Sequence, residues 1–492
     1  VFIGELLIGD GMKKLLFAVA MACATSVWAA PGPDVASLAR STSAQGRFNG
    51  VPVAYDASIE RIPVQDAGNS ADLVAFSYVA RTKAAAQRPV IFVFNGGPIS
   101  PSVFLHVLAL GPRRLAVPDD LAQDPATFKM VDNPYTVLDV ADLVFFDPAS
   151  TGFSRVAGAT RPDAYFSVDA DARQLTAFIA AWSARHGRQA SPKFLFGESY
   201  GTLRAAASAE QISALPTPLN LRGVFLMGQA LNIVETVYRP QNIVSYTASL
   251  PTLASLGWYH GKVDKGGRTY EQFLDEVRLF ARTDYLTALY QGNTLPASEE
   301  RRVAARLAAL TGLPAEAYLA QHLRVSKPQY RSLLLKAEGK LLGANDGRYT
   351  GPAGKGDPAN AVLPAVYGAF DGYLQATFGV PGAGYATASP VPEGTQWQWG
   401  AASPFGNWPY GDHLGRAMAT LPALQVAIGA GYEDTLTTTG ASEYALSQSG
   451  WPMERTRILY YNGGHMAYTI EASLKKMTDD LRVFVTGAAH AN

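Results

Sequence analysis

Short runs of apolar, β-branched and aromatic residues recur along the chain, with longer mixed stretches between them. Leu73 to Val79 and Val90 to Phe94 come first, followed by Leu143 to Phe146, Phe194 to Phe196, Val224 to Met227, Val426 to Ile428 and Ile458 to Tyr461. Runs that short and that uniformly apolar predict strands buried on both faces. Between them, Asp169 to Arg185 sets Ala172, Leu175, Phe178, Ile179 and Trp182 at spacings of three and four, which predicts an amphipathic helix. Strand alternating with helix predicts an α/β protein with a mostly parallel central sheet and helices on both faces. The rhythm stops between Ile233 and Pro409, where arginine-rich helical stretches (Tyr270 to Tyr290, Ala297 to Thr311) give way to Gly/Pro-rich loops. This block predicts an inserted, mainly helical cap or lid over the strand ends, where open α/β sheets bind ligands. The core is then expected in two parts, 30–232 and 410–492, with the cap at 233–409.

The 492 residues are 48% hydrophobic and carry 41 basic and 41 acidic side chains. That balance offers no basic face, so neither nucleic acid nor an anionic membrane is expected as a partner. Met12-Lys13-Lys14 running into Leu15 to Ala22 reads as a signal peptide over residues 12–29, with residues 1–11 upstream of the true start. The apolar stretch is shorter than the roughly 20 residues that span a bilayer. The expectation is an exported protein, periplasmic or secreted, with no membrane contact after cleavage. Cys23, the single cysteine, falls inside this leader. The exported chain would therefore hold no disulfide and rely on the size of its core.

The chemistry is concentrated at Gly197-Glu198-Ser199-Tyr200-Gly201, between the run ending at Phe196 and the helical stretch Thr202 to Ile212. Strand, tight turn and helix with a serine at the apex form a nucleophile elbow, which predicts the α/β-hydrolase fold. A serine hydroxyl needs a base, and the base needs an acid to fix its tautomer and stabilise its cation. In that fold the acid follows a late strand and the histidine follows the last. Asp434 follows Val426 to Ile428, and His465 follows Ile458 to Tyr461, so Ser199, Asp434 and His465 are the expected catalytic residues. Glu433 is expected to point elsewhere, and His413 to serve a helix or the cap. Asn95-Gly96-Gly97-Pro98 leaves an early strand where an oxyanion loop belongs, which assigns the oxyanion hole to the N–H groups of Gly97 and Tyr200.

These motifs carry a resemblance. Asn95-Gly96-Gly97-Pro98, Gly111-Pro112, Phe146-Asp147-Pro148 with Thr151 to Ser154, Gly197 to Gly201 and Gly464-His465-Met466 together resemble the serine carboxypeptidase family, in order and in spacing. The Gly-Tyr-x-Asp form ending at Asp434 and the Glu-Ser-Tyr-Gly-Thr-x-Arg form ending at Arg204 resemble its bacterial members. The resemblance implies removal of single residues from peptide C-termini, with Asn95, Gly96 and Glu198 holding the terminal carboxylate of the substrate. Glu198 can do so only when protonated or sharing a proton, since two bare carboxylates repel.

Three positions depart from the family pattern. Ala109 stands where the eukaryotic members have a second glutamate, which leaves Arg113 or Arg114 as a candidate stand-in. Ile99 and Ser150 stand where glycine is usual, so the Ile99 segment is expected to take another conformation or be strained. The same triad would serve an esterase or acyltransferase, and the departures at Ile99 and Ser150 motivate a third reading, a binding protein without activity. No metal motif or dinucleotide fingerprint is present in the sequence, and the expected chemistry requires no cofactor. Trp258, Tyr259, Trp397 and Trp399 are the aromatic candidates for a side-chain pocket.

Overall fold

The computed structural model describes residues 38–236, 239–387, 396–400 and 408–489. The leader expected over residues 12–29 lies outside them. The main sheet comprises β1 (Arg40–Phe48), β2 (Val51–Asp66), β3 (Asn69–Ala80), β4 (Val90–Phe94), β5 (Asp142–Phe146), β6 (Lys193–Glu198), β7 (Leu221–Met227), β8 (Gln425–Gly431) and β9 (Thr456–Tyr461). Their order is β1-β2-β3-β5-β4-β6-β7-β8-β9, and the short strand Arg155–Ala157 pairs with β3. β1 to β3 form an antiparallel meander joined antiparallel to β5, and every later neighbour is parallel. The exchange of β4 and β5 against chain order, followed by a parallel run with the elbow after β6, is the α/β-hydrolase fold.

The sheet is covered by α1 (Val168–Arg185), α2 (Gly201–Ser213) and, after the insertion, α8 (Gly411–Thr420), α9 (Thr439–Gln448) and α10 (Glu471–Ala489). The insertion contributes α3 (Leu250–Tyr259), α4 (Tyr270–Phe280), α5 (Ala297–Thr311), α6 (Lys327–Leu333) and α7 (Leu363–Phe378). Strand alternation divides the core: along β4, Val90, Phe92 and Phe94 share an apolar layer with α1, α2 and α8, while Ile91 and Val93 share the other with α7 and α10. Both faces are dry, which is why these strands read as unbroken apolar runs.

All seven expected strands form, but β1 and β2 were not among them. β1 is mostly small or polar and largely solvent-facing, and β2 alternates buried Tyr55, Ala57 and Ile59 with wetter positions. Such a pattern belongs to an antiparallel sheet with one wet face. The helix expected from Tyr270 to Tyr290 starts at a capping box of Thr269 and Gln272, ends as α4 at Phe280, and continues through a wide turn to Leu286–Gln291. α3 to α6 gather an apolar cluster of their own, including Leu253, Phe273, Leu307 and Tyr330. α7 does not join it. Val366, Phe370 and Leu374 pack into the main sheet layer. A small hairpin, Lys340–Leu342 with Thr350–Pro352, also interrupts the helical region, and the turn inside it bonds Glu433 and His465 in the loops after β8 and β9.

Candidate active site

The elbow is built by close approach. A Cβ on Gly197 would lie 2.4 Å from the carbonyl oxygen of Gly201, and one on Gly96 would lie 2.6 Å from the nitrogen of Tyr200. Only glycine lets the turn close and the 95–97 loop lie against it. Ser199 itself has φ 59°, a left-handed conformation held by its N–H bond to the Met227 carbonyl at 2.9 Å. Its side chain is half-buried at the end of β6.

Asp434 is fully buried and accepts four hydrogen bonds. Its Oδ1 takes the N–H groups of Leu436 at 2.7 Å and Thr437 at 3.0 Å, and its Oδ2 takes the Thr437 hydroxyl at 2.6 Å and faces His465 Nδ1 at 2.7 Å. The two N–H groups fix the carboxylate plane, so Oδ2 always faces the imidazole. Burial pulls the His465 pKa down, but the charge and hydrogen bond of Asp434, with the charge of Glu198, outweigh it and push it up to about 9. The ring rests against the end of β7, where a Cβ on Gly228 would come within 2.9 Å of it. Its backbone is held by the insertion, since the His465 N–H donates to the Asn345 carbonyl at 2.6 Å. Asp434 and His465 are thus in direct contact. Ser199 is tied to Met227, the residue before Gly228, and its Oγ makes no hydrogen bond among the described residues, His465 included.

The N–H groups of Gly97 and Tyr200 likewise have no partner among the described residues. Behind them, fully buried Arg204 donates to the carbonyls of Asn95 at 2.8 Å and Pro98 at 3.0 Å and pairs with Asp171 at 2.7 Å. Asp171 also accepts the Tyr200 hydroxyl at 2.9 Å. One cation thereby locks the 95–98 loop to the first turn of α2. Of the two outcomes expected near Ile99, another conformation or strain, positive-φ strain does not arise: Ile99 keeps an ordinary backbone, and the positive φ of this loop lies at Gly97, +115°. Ser150 does carry a positive φ, 71°, and its hydroxyl makes no hydrogen bond among the described residues. Ser150→Gly is therefore expected to raise stability by about 0.5–1 kcal/mol in urea denaturation, since only the αL strain is relieved.

Glu198 is buried one residue before Ser199. Its Oε2 accepts Asn95 Nδ2 at 3.0 Å and the Tyr468 hydroxyl at 2.5 Å. Burial raises its pKa to about 7 against the opposing charge of His465 and the bonds from Tyr468 and Asn95. A carboxyl so placed is neutral under mildly acidic conditions. Gly96 lies beside it, since its Cβ would fall 2.7 Å from the Glu198 carbonyl oxygen.

Residues 66–263 match the serine carboxypeptidase family. The matched span holds the 95–98 loop, the Asp147 turn and the elbow, and stops before Asp434 and His465. With the elbow and fold above, it makes the chain a serine hydrolase. No curated protein matches the sequence. Among solved structures, the chain is similar to a proline iminopeptidase from Mycobacterium smegmatis, with 12% identity, 87% of this chain and 99% of that one covered, and a TM-score of 0.37. A thermostable carboxyl esterase from Bacillus coagulans shares 11% identity over 88% of this chain and 99% of its own, with a TM-score of 0.38. These likenesses bear on neither substrate nor reaction.

The competing residues are spent elsewhere. Glu433 accepts the Ser255 hydroxyl of α3 and the Gly463 N–H, both at 2.7 Å, and His413 pairs with Glu210 on α2. Arg113 pairs with Asp132 and Arg114 with Glu471, so the cations considered as stand-ins for a carboxyl at position 109 have other partners. Trp397 and Trp399 stand edge-on to Tyr200, with ring centres 5.1 and 6.1 Å away, whereas Trp258 packs on Phe273 inside the cap cluster. Thr437, Tyr468, Arg204 and Lys327 complete the site without having been assigned roles in it. Arg204 stands in the elbow motif, and Thr437 and Tyr468 each follow an expected site residue by three. Lys327, on α6, donates to the Leu436 carbonyl at 2.9 Å, and nothing in its sequence context marks it.

Proposed function

We propose that this protein is an exported serine-type carboxypeptidase, acting on peptides with a free C-terminal carboxylate. In the fraction of enzyme whose His465 is neutral, Ser199 Oγ attacks the scissile carbonyl carbon while His465 Nε2 takes its proton, and the oxyanion forms between the N–H groups of Gly97 and Tyr200. The proton then passes to the leaving amine, the C–N bond breaks, and an acyl-enzyme remains on Ser199. Water, deprotonated by His465, attacks the ester and releases the shortened peptide. Asp434 holds Nδ1 protonated throughout. The leader expected over residues 12–29 supports export.

One observation carries the peptidase reading. Glu198 is a buried carboxyl beside the nucleophile, with a pKa raised into the range where it can donate a proton to a carboxylate. Below about pH 7 it is neutral and attracts the substrate terminus; above, its charge repels it. KM for a blocked dipeptide with a free C-terminus is therefore expected to rise as pH passes about 7, while its C-terminal amide, a poorer substrate, shows no such limb. Steady-state kinetics on the acid and amide pair decides it, and equal kcat/KM for the two would sink the reading. An esterase or acyltransferase is the second reading, favoured by Ala109, which gives Glu198 no carboxyl partner from that position.

A further inference from the structure

Glu198 is held asymmetrically. Asn95 Nδ2 and Tyr468 Oη both donate to Oε2, and Oε1 has no hydrogen-bond partner among the described residues. Tyr468 is fully buried in the turn Ala467–Thr469 that leads from His465 into α10, and that turn packs against Leu105–Leu110, the segment containing Ala109. Asn95 is fixed in turn, since its Oδ1 accepts the Leu105 N–H at 3.1 Å. With both donors on one oxygen, a proton taken up by Glu198 resides on the other.

Resting on the carboxypeptidase reading, we infer that Tyr468 is a positioning residue that confines the Glu198 proton to Oε1, aims it at the substrate's terminal carboxylate, and sets the upper pH limit of peptide binding. Three other groups face Glu198: Asn95 from the loop after β4, and, through their charges, Asp434 after β8 and His465 after β9. Asp434 disfavours ionisation, whereas His465, Asn95 and Tyr468 favour it. Of the last three, Tyr468 makes the shortest bond to the carboxyl and lies outside both the triad and the oxyanion loop. Its phenol stabilises the ionised carboxylate, so removing the hydroxyl makes Glu198 hold its proton to higher pH.

The test is Tyr468→Phe, with kcat and KM measured from pH 5 to 9 on the free-acid dipeptide and on an ester lacking a terminal carboxylate. The KM limb of the free acid is expected to move up by about one pH unit, as loss of a charge-assisted bond implies, with no matching shift for the ester. The less defined proton position should also raise KM several-fold below the limb. A limb that stays in place, or moves equally for both substrates, overturns the inference. If the variant does not fold, infrared titration of the wild-type protonated-carboxyl band against Glu198→Gln decides: one band, absent from the variant and titrating near pH 7, supports a single localised proton, and its absence sinks it. The two readings fail differently. Loss of acid preference in Glu198→Gln with an unmoved limb in Tyr468→Phe removes only this inference, whereas no acid preference in the wild type removes the carboxypeptidase reading itself.

Discussion

Replacing Ser199 with alanine is expected to lower kcat by about 10⁶-fold, the usual cost of removing a triad nucleophile. The fold should survive. Oγ makes no hydrogen bond among the described residues, so its removal strands no partner, and alanine meets the same left-handed backbone as serine. Turnover of peptide and ester substrates, together with labelling by a fluorophosphonate probe, measures the effect. A folded variant that keeps more than about a tenth of wild-type activity would mean that another residue is the nucleophile. Absence of labelling in the folded wild type would instead favour a binding protein without activity.

The second large effect is expected at Asp434→Asn, with kcat lowered by about 10⁴-fold. The direction follows from the four bonds around the carboxylate. Oδ1 faces two backbone N–H groups and must remain an acceptor, so the asparagine oxygen takes that place and its NH₂ takes the place of Oδ2. There it faces His465 Nδ1 and forces that nitrogen to accept. The ring proton then moves to Nε2, where it blocks uptake of the serine proton. The charge that raises His465 disappears as well, so the imidazole pKa should fall from about 9, visible by NMR of its Cε1–H. Thr437, which donates to the same oxygen, would meet an NH₂ donor and must turn its hydroxyl. Unchanged kcat with an unshifted imidazole would exclude Asp434 from the relay.

Much of the core was legible because parallel strands buried on both faces are apolar through their middles: all of β4, and Phe194 to Phe196 in β6, Val224 to Met227 in β7 and Val426 to Ile428 in β8. The elbow was legible for a local reason: a sharp turn with a serine at its apex demands small residues two positions away on each side, and Gly197 and Gly201 supply them. β1 and β2 were not legible, since one wet face dilutes the apolar signal with serine, glutamine and arginine. Ile99 and Ser150 show the limit of reading single positions: Ile99 keeps an ordinary backbone, whereas Ser150 has a positive φ.

The sequence alone determined the α/β class, the elbow and the strands after which Asp434 and His465 stand, because each is written in residues close along the chain or in a fixed succession of strands. Tertiary structure decided the rest. Tyr468 reaches Glu198 across 270 positions and Arg204 reaches the Asn95 carbonyl across 109. Bonds between such distant segments exist only after the sheet has closed, so no local pattern records them. The electrostatic state of the site follows the same rule: a glutamate with a pKa near 7 and a histidine near 9 arise from shared burial and mutual charge, which are properties of the assembled fold and of no single stretch of chain.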